Sequence, residues 1–227
     1  MSGETIASRI AHIRQSLPAA TRLIAVTKQV GVDAMREAYM SGIRDFGESR
    51  VQEAEIKQEQ LQDLPDLTWH FIGHLQSNKA SKALHLFQWI HSVDSLFLAQ
   101  RLNRIASTIS WTPQVCLQVK VLPDPNKSGW SVPDLLQDLP QLAQCSYLAM
   151  RGLMTIPPLG LSEAEILAVF QQTRDLAAQI RQELTQYPTP SMPMDQLSMG
   201  MSGDYPLAVQ AGATMIRLGT RLFGDRQ

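Results

Sequence analysis

The sequence predicts an α/β protein, a modified TIM (β/α)8 barrel in a single domain that spans residues 1–227. Short apolar runs typical of buried strands alternate with amphipathic segments, which indicates a parallel sheet covered by helices. There are eight such runs, the number that closes into a barrel. Polar residues end these runs, and in a barrel such ends converge on one mouth, which favours the barrel over the alternative, an open doubly wound sheet.

An extra helix is expected before the first strand, because apolar residues recur at helical spacing from Ile6 to Leu17 and Pro18 follows. The eight strands that follow are predicted from apolar runs that are too short for helices. They cover residues 22–28, 43–48, 69–74, 89–94, 114–121, 148–156, 196–201 and 214–219.

Amphipathic helices are predicted between the strands. The clearest covers residues 161–184, where Ser162 and Glu165 have the spacing of a capping box. Another is expected to begin at Asp94. Its apolar side is predicted to carry Phe97, Leu98, Leu102, Ile105 and Ile109. The Pro-rich segment 187–193 is interpreted as a connection to the seventh strand.

The composition excludes several classes of protein. Of the 227 residues 44% are hydrophobic, which allows a sizeable core, and 20 basic residues against 21 acidic ones leave no basic field for nucleic acid or an anionic membrane. No stretch resembles a secretory signal or reaches the roughly 18 apolar residues of a membrane span. We therefore expect a soluble, cytoplasmic protein. Cys116 and Cys145 are interpreted as buried, reduced thiols.

Lys28 is the first candidate for chemistry, because it follows the dense apolar run "RLIAV". A lysine that loses hydration there favours its neutral amine, which is nucleophilic towards carbonyl groups. The alternative is that Lys28 extends its ammonium out of the mouth and pairs with a carboxylate. Polar residues also lie at or near the ends of other strands. These are Glu48, His74, Asp94, Lys120, Thr155, Ser198 and Arg217.

The C-terminal segment offers a phosphate site. Small, polar, glycine-containing turns follow the seventh and eighth predicted strands, and in barrels these two loops commonly hold a phosphate group. The candidate residues are Ser198, Ser202, Gly219 and Thr220. The alternative is that these glycines form ordinary turns.

Arg217 interrupts an apolar strand and is expected to point into the barrel, where it needs an acceptor such as Glu48 or Asp94. His70 and His74 could suggest a metal, but no glutamate stands at the required spacing, so no metal site is predicted. His70 is instead interpreted as a hydrogen-bonded residue of the barrel interior. Neither a GxxxxGK[ST] loop nor a strand-linked GxGxxG is present, so nucleotide binding by those motifs is unsupported.

Several motifs together resemble one family. They are "AVTK", "FGESRVQE", "WHFIGHLQSNK", "NKSGW", "RGLMTI" and "LSMGMSGDYPLAVQAGATMIRLGTRLFG". The chain is similar over nearly its whole length to pyridoxal 5′-phosphate (PLP) homeostasis proteins, which are single-domain relatives of the alanine racemase N-terminal barrel. The resemblance implies a barrel that carries PLP as a Schiff base on the lysine of the first strand, here Lys28.

The family pattern also implies roles for other positions. The phosphate would be held by Ser198, Gly219 and Thr220, with Ser202 as a further contact, while Arg217 would face the pyridine nitrogen and Met199 and His70 would lie near the ring. Two positions depart from the family. Ser49 and Lys120 stand where the family usually has asparagine, so Ser49 would reach the cofactor only through water, and Lys120 is a candidate for a second cofactor site.

The resemblance leaves two functions to distinguish. The chain could hold PLP and deliver it to apo-enzymes in vitamin B6 homeostasis, with an effect on amino-acid metabolism, or it could be a PLP-dependent amino-acid racemase. Racemases of the related two-domain type take a second base from a further domain, and the sequence ends at Gln227 without one. We therefore expect a monomeric binding protein without catalytic residues. An interaction protein without any ligand is a third possibility.

Overall fold

The computed structural model describes residues 4–186 and 192–224, and their strands form a closed parallel barrel. The first strand pairs with the second and with the last, and the fourth pairs with the fifth, so the described ring of eight strands has no open edge. The strands are β1 Arg22–Val26, β2 Asp45–Glu48, β3 Thr68–Phe71, β4 Trp89–Val93, β5 Gln114–Lys120, β6 Trp130–Ser131, β7 Ala149–Met154, β8 Gln196–Ser198 and β9 Met215–Leu218. The predicted barrel is confirmed.

The two-residue strand β6 was not predicted. It pairs with the end of β5 at Val119 and Lys120 and extends the sheet beside the barrel without joining the ring. The eight predicted strands correspond to the other eight. Most were predicted too long at the C-terminal end, because the chain there leaves the ladder for the loops of the mouth. Thr27, for example, still donates its N–H to Gly47 but lies beyond β1.

Helices surround the barrel and connect successive strands. They are α1 Ile6–Ser16, α2 Val32–Met40, α3 Val51–Gln60, α4 Ala80–Leu86, α5 Leu96–Ala106, α6 Val132–Leu142, α7 Glu163–Glu183, α8 Tyr205–Gln210 and α9 Thr220–Phe223, with 3₁₀ turns at Ser77–Lys79 and Leu184–Gln186. The predicted N-terminal helix is α1. The predicted capping box is present at the start of α7, where Ser162 and Glu165 bond each other's backbone N–H groups.

The prediction for α5 was partly wrong. The helix begins at Leu96, because the Ser95 hydroxyl caps it by accepting from the N–H of Leu98. Phe97 is 66% exposed, and Ile109 lies beyond the end of the helix. The side that packs on the barrel carries Leu98, Ala99, Leu102 and Ala106. Ala99 and Ala106 were overlooked because the prediction gave more weight to the larger apolar residues next to them in the sequence.

Two apolar clusters divide the core. The larger lies between the strands and the helices, and a small one fills the barrel itself with Ile24, Trp89, Cys116, Met154 and Met215. Both cysteines are buried free thiols, as expected. The part of the chain that the structure describes contains no helix long and apolar enough to cross a membrane. Of the Pro-rich segment 187–193, residues 187–191 lie outside the described residues.

Candidate functional site

A cavity of about 300 Å³ opens at the mouth, where the strands end in the direction of the chain. Residues of β1 and β9 and of the segments that follow β1, β3, β7, β8 and β9 surround it. They are Val26, Lys28, Ile72, Ile156, Met201, Ser202, Gly203, Arg217, Gly219 and Thr220. The barrel therefore brings together five of the predicted site residues, which are separated by up to 192 positions in the sequence. These five are Lys28, Ser202, Arg217, Gly219 and Thr220.

Lys28 reaches this cavity because alternate residues of β1 face the barrel interior. Ile24 lies in the interior cluster and Val26 lines the cavity, so the next position on the same face is Lys28. The side chain is only partly exposed. Among the residues described, Lys28 forms no salt bridge, so the alternative interpretation, a pairing with a carboxylate, is not observed. The amine is left available to a ligand in the cavity.

The backbone on both sides of Lys28 is held by buried polar groups. The Thr27 hydroxyl donates to Glu48 Oε1 at 2.6 Å, and Gln29, at a φ of 62°, donates its N–H to Glu53 at 2.6 Å. The buried ammonium of Lys57 joins these groups, at 2.7 Å from each of the two glutamates and 2.6 Å from the carbonyl of Thr27. This network fixes the segment that aims Lys28 into the cavity.

Glu48 points away from the mouth, so the expectation that the polar residue at the end of this strand faces the barrel interior was wrong. Gly47 faces the barrel interior against Ile24 and Ile72, and the alternation of β2 therefore turns Glu48 outward to Lys57 on α3. Burial raises the pKa of Glu48, while the hydrogen bonds from Lys57 and Thr27 act in the opposite direction. Its second oxygen, Oε2, has no partner among the described residues.

Arg217 forms the floor of the cavity and is almost fully buried. Its Nη1 donates to Ser198 Oγ at 2.7 Å and its Nη2 to the carbonyl of Thr155 at 3.2 Å. The predicted salt bridge to Glu48 or Asp94 was wrong, because neutral oxygens from β8 and from the loop after β7 accept from it instead. Burial lowers the pKa of Arg217 to about 10, so the guanidinium is still charged at neutral pH.

Ser198, which the family pattern assigns to the phosphate, is not among the residues that line the cavity and lies beneath it. Its hydroxyl is fully buried and is engaged by Arg217 and by Nδ1 of His91 at 2.7 Å. His91 was missed by the sequence analysis. The alternation of β4 places it on the same face as Trp89 in the barrel interior, so the pattern of the strand could have found it.

His70 also lies below the cavity. Its ring nitrogens contact Nε2 of His91 and Oδ1 of Asp45, both at 2.9 Å, and the side chain is fully buried. The prediction that His70 is a hydrogen-bonded interior residue is confirmed. The resemblance also implied that His70 lies near a cofactor ring. His70 does not line the cavity, and Ile72, two residues further along the chain on the same face, lines it instead.

Three other predicted residues lie outside the cavity. Met199 is buried in the core between barrel and helices. Ser49 lines a neighbouring hollow with Arg50, His74 and Lys79. Lys120 turns to a hollow beside β6, where its ammonium donates to the carbonyl of Asp124 at 3.3 Å. Gly203, which the sequence analysis did not name, does line the cavity. No cluster of metal-ligating side chains occurs within residues 4–186 and 192–224.

The two interior histidines make the stability of the fold depend on pH. Burial lowers the pKa of His70, and burial together with the positive charge of Arg217 and the neighbouring ring lowers the pKa of His91 well below its usual value. The unfolded chain binds protons at these positions below about pH 6.5, whereas the folded chain does not. The free energy of unfolding is therefore expected to fall between about pH 7 and pH 5.5, by up to ~1.4 kcal/mol per pH unit for each histidine.

Urea unfolding at several pH values measures this effect. Glu48 contributes with the opposite sign, because its raised pKa makes the folded state bind a proton more readily than the unfolded state as the pH falls. The comparison of the parent with His91→Leu isolates the histidine, since Glu48 is common to both. We expect a shallower loss of stability on acidification in the variant. An equal slope in the two proteins would contradict the assignment of a neutral, buried His91.

Comparison with known proteins gives consistent matches along the chain. The family model described as the N-terminal domain of alanine racemase matches residues 2–227. A pyridoxal phosphate homeostasis protein of Synechocystis sp. is 52% identical over 215 residues, which is 95% of this chain and 96% of that protein. The protein of the same name from Pseudomonas aeruginosa is 42% identical over 229 residues, covering 98% and 95% of the two chains.

Solved structures agree with these matches. PipY of Synechococcus elongatus, in a structure with PLP bound, has a TM-score of 0.91 and 55% sequence identity, covering 97% of this chain and all of that one. An alanine racemase of Clostridium difficile has a TM-score of 0.72 at 15% identity, covering 97% of this chain and 56% of that one. The second likeness shows the shared barrel alone.

Proposed function

The chain belongs to the pyridoxal phosphate homeostasis protein family, and we propose that it binds PLP in the cavity at the mouth, holds it as a Schiff base on Lys28 and releases it to other proteins. One observation carries the proposal. A lysine amine, two hydroxyl groups and a buried guanidinium face one cavity of about 300 Å³. These are the groups that an aldehyde, a phosphate and a pyridine nitrogen require. PipY, at 55% identity, has been solved with PLP bound.

The phosphate end of the cavity is supported by its donors. Ser202 and Thr220 supply hydroxyl groups. The carbonyl of Ser202 accepts a hydrogen bond from Nε of Arg221 at 3.1 Å, which holds the backbone of this loop. A Cβ atom added at Gly203 would meet no heavy atom within 4 Å, so the backbone there borders open space. No carboxylate lies among the described residues that line the cavity, so a phosphate dianion would meet no like charge. We assign the phosphate to Ser202, Gly219 and Thr220.

The ring end is supported by apolar and cationic groups. Ile72 and Ile156 face the cavity from the loops after β3 and β7 and would pack on the ring. Arg217 can only donate hydrogen bonds, so a ring nitrogen beside it would act as the acceptor and stay unprotonated. An unprotonated ring is a weaker electron sink, which suits storage better than carbanion chemistry.

The bound cofactor would supply an aldehyde that reacts reversibly with an amine. Lys28 would supply that amine, and a C=N bond would form as the carbonyl oxygen left as water. Water would restore the aldehyde, and another amine would displace Lys28 from the same carbon. Lys28 is the only group in the described lining that can accept a proton near this bond, because Arg217 stays protonated. A racemase needs a base on each face of the substrate. The cavity therefore supports storage and release rather than racemisation.

A transfer experiment tests this function. The PLP-loaded protein is mixed with an apo-aminotransferase in the presence of alkaline phosphatase, which destroys free PLP. We expect the loaded protein to restore aminotransferase activity under conditions in which the same concentration of free PLP fails. The matched control is loaded protein reduced with borohydride, which holds its cofactor irreversibly and should restore nothing.

Two results would contradict the proposal. One is a loaded protein that restores no more activity than the reduced control. The other is exchange of the α-proton of an amino acid with deuterated solvent at an ordinary enzymatic rate, on the order of 1 s⁻¹ or faster, which would make the chain an enzyme.

A further inference from the structure

A continuous chain of hydrogen bonds crosses the barrel interior below the cavity. It begins at Arg217 and ends at Asp45 near the opposite end of the barrel, and five strands contribute one residue each. The successive contacts are Arg217 Nη1 to Ser198 Oγ at 2.7 Å, Ser198 Oγ to His91 Nδ1 at 2.7 Å, His91 Nε2 to His70 Nδ1 at 2.9 Å and His70 Nε2 to Asp45 Oδ1 at 2.9 Å. Ser198 and both histidines are fully buried.

The two ends of the chain determine its direction. A guanidinium can only donate and an ionised carboxylate can only accept. Burial lowers the pKa of both histidines, so each ring carries a single proton and joins one donor to one acceptor. Asp45 then requires the proton of His70 on Nε2, which leaves its Nδ1 as an acceptor. His91 must in turn donate from Nε2 and accept at Nδ1, and Ser198 must supply that hydrogen.

This order determines how Ser198 meets Arg217. Because the hydroxyl hydrogen is directed to His91, the lone pairs of Ser198 are turned to the guanidinium. If His91 offered no acceptor, the hydroxyl could turn its hydrogen towards Arg217 and lose that bond. Of the two acceptors that the guanidinium has in the structure, only the carbonyl of Thr155 would remain. It lies at the longer distance of 3.2 Å.

We propose that Asp45, His70 and His91 are positioning residues that hold Ser198 and, through it, the Arg217 guanidinium at the floor of the cavity, with both histidines protonated only on Nε2. The effect on PLP rests on the proposed function, whereas the protonation of the two rings does not.

The surroundings of the chain are consistent with this order. The ring of His70 stacks on Trp89 with centroids 5.8 Å apart, and Trp89 also contacts the ring of His91. Two arginines from other strands lie beside these residues. Arg22 is 3.4 Å from Asp45, and the guanidinium of Arg151 lies over the ring of Trp89. The positive charge of Arg22 helps to lower the pKa of both histidines and so favours neutral rings. Cys116 lies in the same small interior cluster, and burial raises the pKa of its thiol to about 12, so it is uncharged.

Nuclear magnetic resonance of the two rings tests the order directly, in protein without any cofactor. Nitrogen-15 spectra of the histidine side chains are recorded between pH 6 and pH 8, and His70→Gln and His91→Gln variants assign the signals. We expect both rings to be neutral with the proton on Nε2 throughout this range. A proton on Nδ1 of either ring, or an imidazolium at pH 7, would overturn the proposal whether or not the protein binds PLP.

The effect on the cavity is tested by two substitutions of His91. In His91→Gln the amide oxygen can accept from Ser198 and the amide nitrogen can donate to His70, whereas His91→Leu can do neither. We expect His91→Leu to weaken PLP binding by about tenfold or more and to shift the pH profile of the bound chromophore, and His91→Gln to restore both towards the parent.

Equal affinities and pH profiles in the parent and the leucine variant would overturn the positioning role, and so would equal losses in both variants when both remain folded by circular dichroism. A parent that binds no PLP would instead contradict the proposed function and leave the result of the nitrogen-15 experiment standing.

Discussion

Replacing Lys28 by alanine is expected to abolish the visible absorption of the PLP-loaded protein. The conjugated C=N bond between the cofactor and an amine absorbs at longer wavelength than the free aldehyde, and Lys28 is the amine that the cavity presents. The variant should fold, because Lys28 forms no salt bridge among the described residues and the network beneath it runs through Thr27, Glu48 and Lys57. An absorption spectrum after addition of PLP and gel filtration measures the result.

Lys120 provides the matched control. It also lies near the end of a strand, but it faces a separate hollow and donates to the carbonyl of Asp124. Lys120→Ala should therefore keep the spectrum of the parent. If Lys28→Ala keeps the visible band and Lys120→Ala loses it, the cofactor lysine has been assigned to the wrong strand and the proposed geometry of the cavity fails.

The second large effect is expected at the phosphate end. Removing the hydroxyl groups in Ser202→Ala and Thr220→Val takes away two donors to a charged group, and hydrogen bonds of this kind contribute about 1.5–3 kcal/mol each. Each substitution should weaken PLP binding by about tenfold or more, and the two together by about a hundredfold or more. Fluorescence titration measures the dissociation constants.

Pyridoxal, which has no phosphate, is the control ligand for this prediction. Its affinity should be nearly the same in the parent and in the double variant, because Lys28 and Arg217 are unchanged and contact the other end of the cavity. Parallel losses for pyridoxal and PLP would show that the substitutions disturb the cavity as a whole, and would remove the support for a phosphate site in these loops.

The fold was largely predictable because a closed parallel barrel buries both faces of its strands. That environment selects short, almost continuously apolar runs, and eight of them are visible in the sequence. The ends of the strands were less predictable, since residues such as Lys28 and Thr155 continue the pattern of a strand after the chain has entered a loop. The start of α5 was missed for a related reason, because the capping role of Ser95 depends on the backbone conformation at that residue.

The site was predictable to the extent that it depends on strand order. Lys28 and Arg217 reach one cavity because β1 pairs with β9. The same closure of the barrel brings the loops after β8 and β9 to this cavity. Which face a residue occupies was harder to predict. Gly47 carries no side chain that marks the inner face of β2, so Glu48 was placed inward by mistake. His91 was overlooked because β4 is buried along its whole length, and a histidine within such a strand resembles ordinary core.

Depth within the barrel could not be predicted from the sequence. Ser198 and Arg217 both point inward, but Ser198 lies one layer below the cavity, where its hydroxyl serves Arg217 and His91. The depth of a residue below the mouth depends on the tilt and relative register of the strands. Neither can be inferred from the residues next to it in the sequence. The predicted phosphate contacts therefore included one residue that belongs to the layer beneath.

Reduction of the PLP-loaded protein with borohydride, followed by mass spectrometry of its peptides, identifies the residue that carries the cofactor. Reduction converts a Schiff base into a stable secondary amine and so records where the cofactor was held. We expect one phosphopyridoxyl group per chain, on the peptide that contains Lys28. An adduct on a different lysine, an adduct spread over several lysines or no adduct at all would contradict the assignment of Lys28.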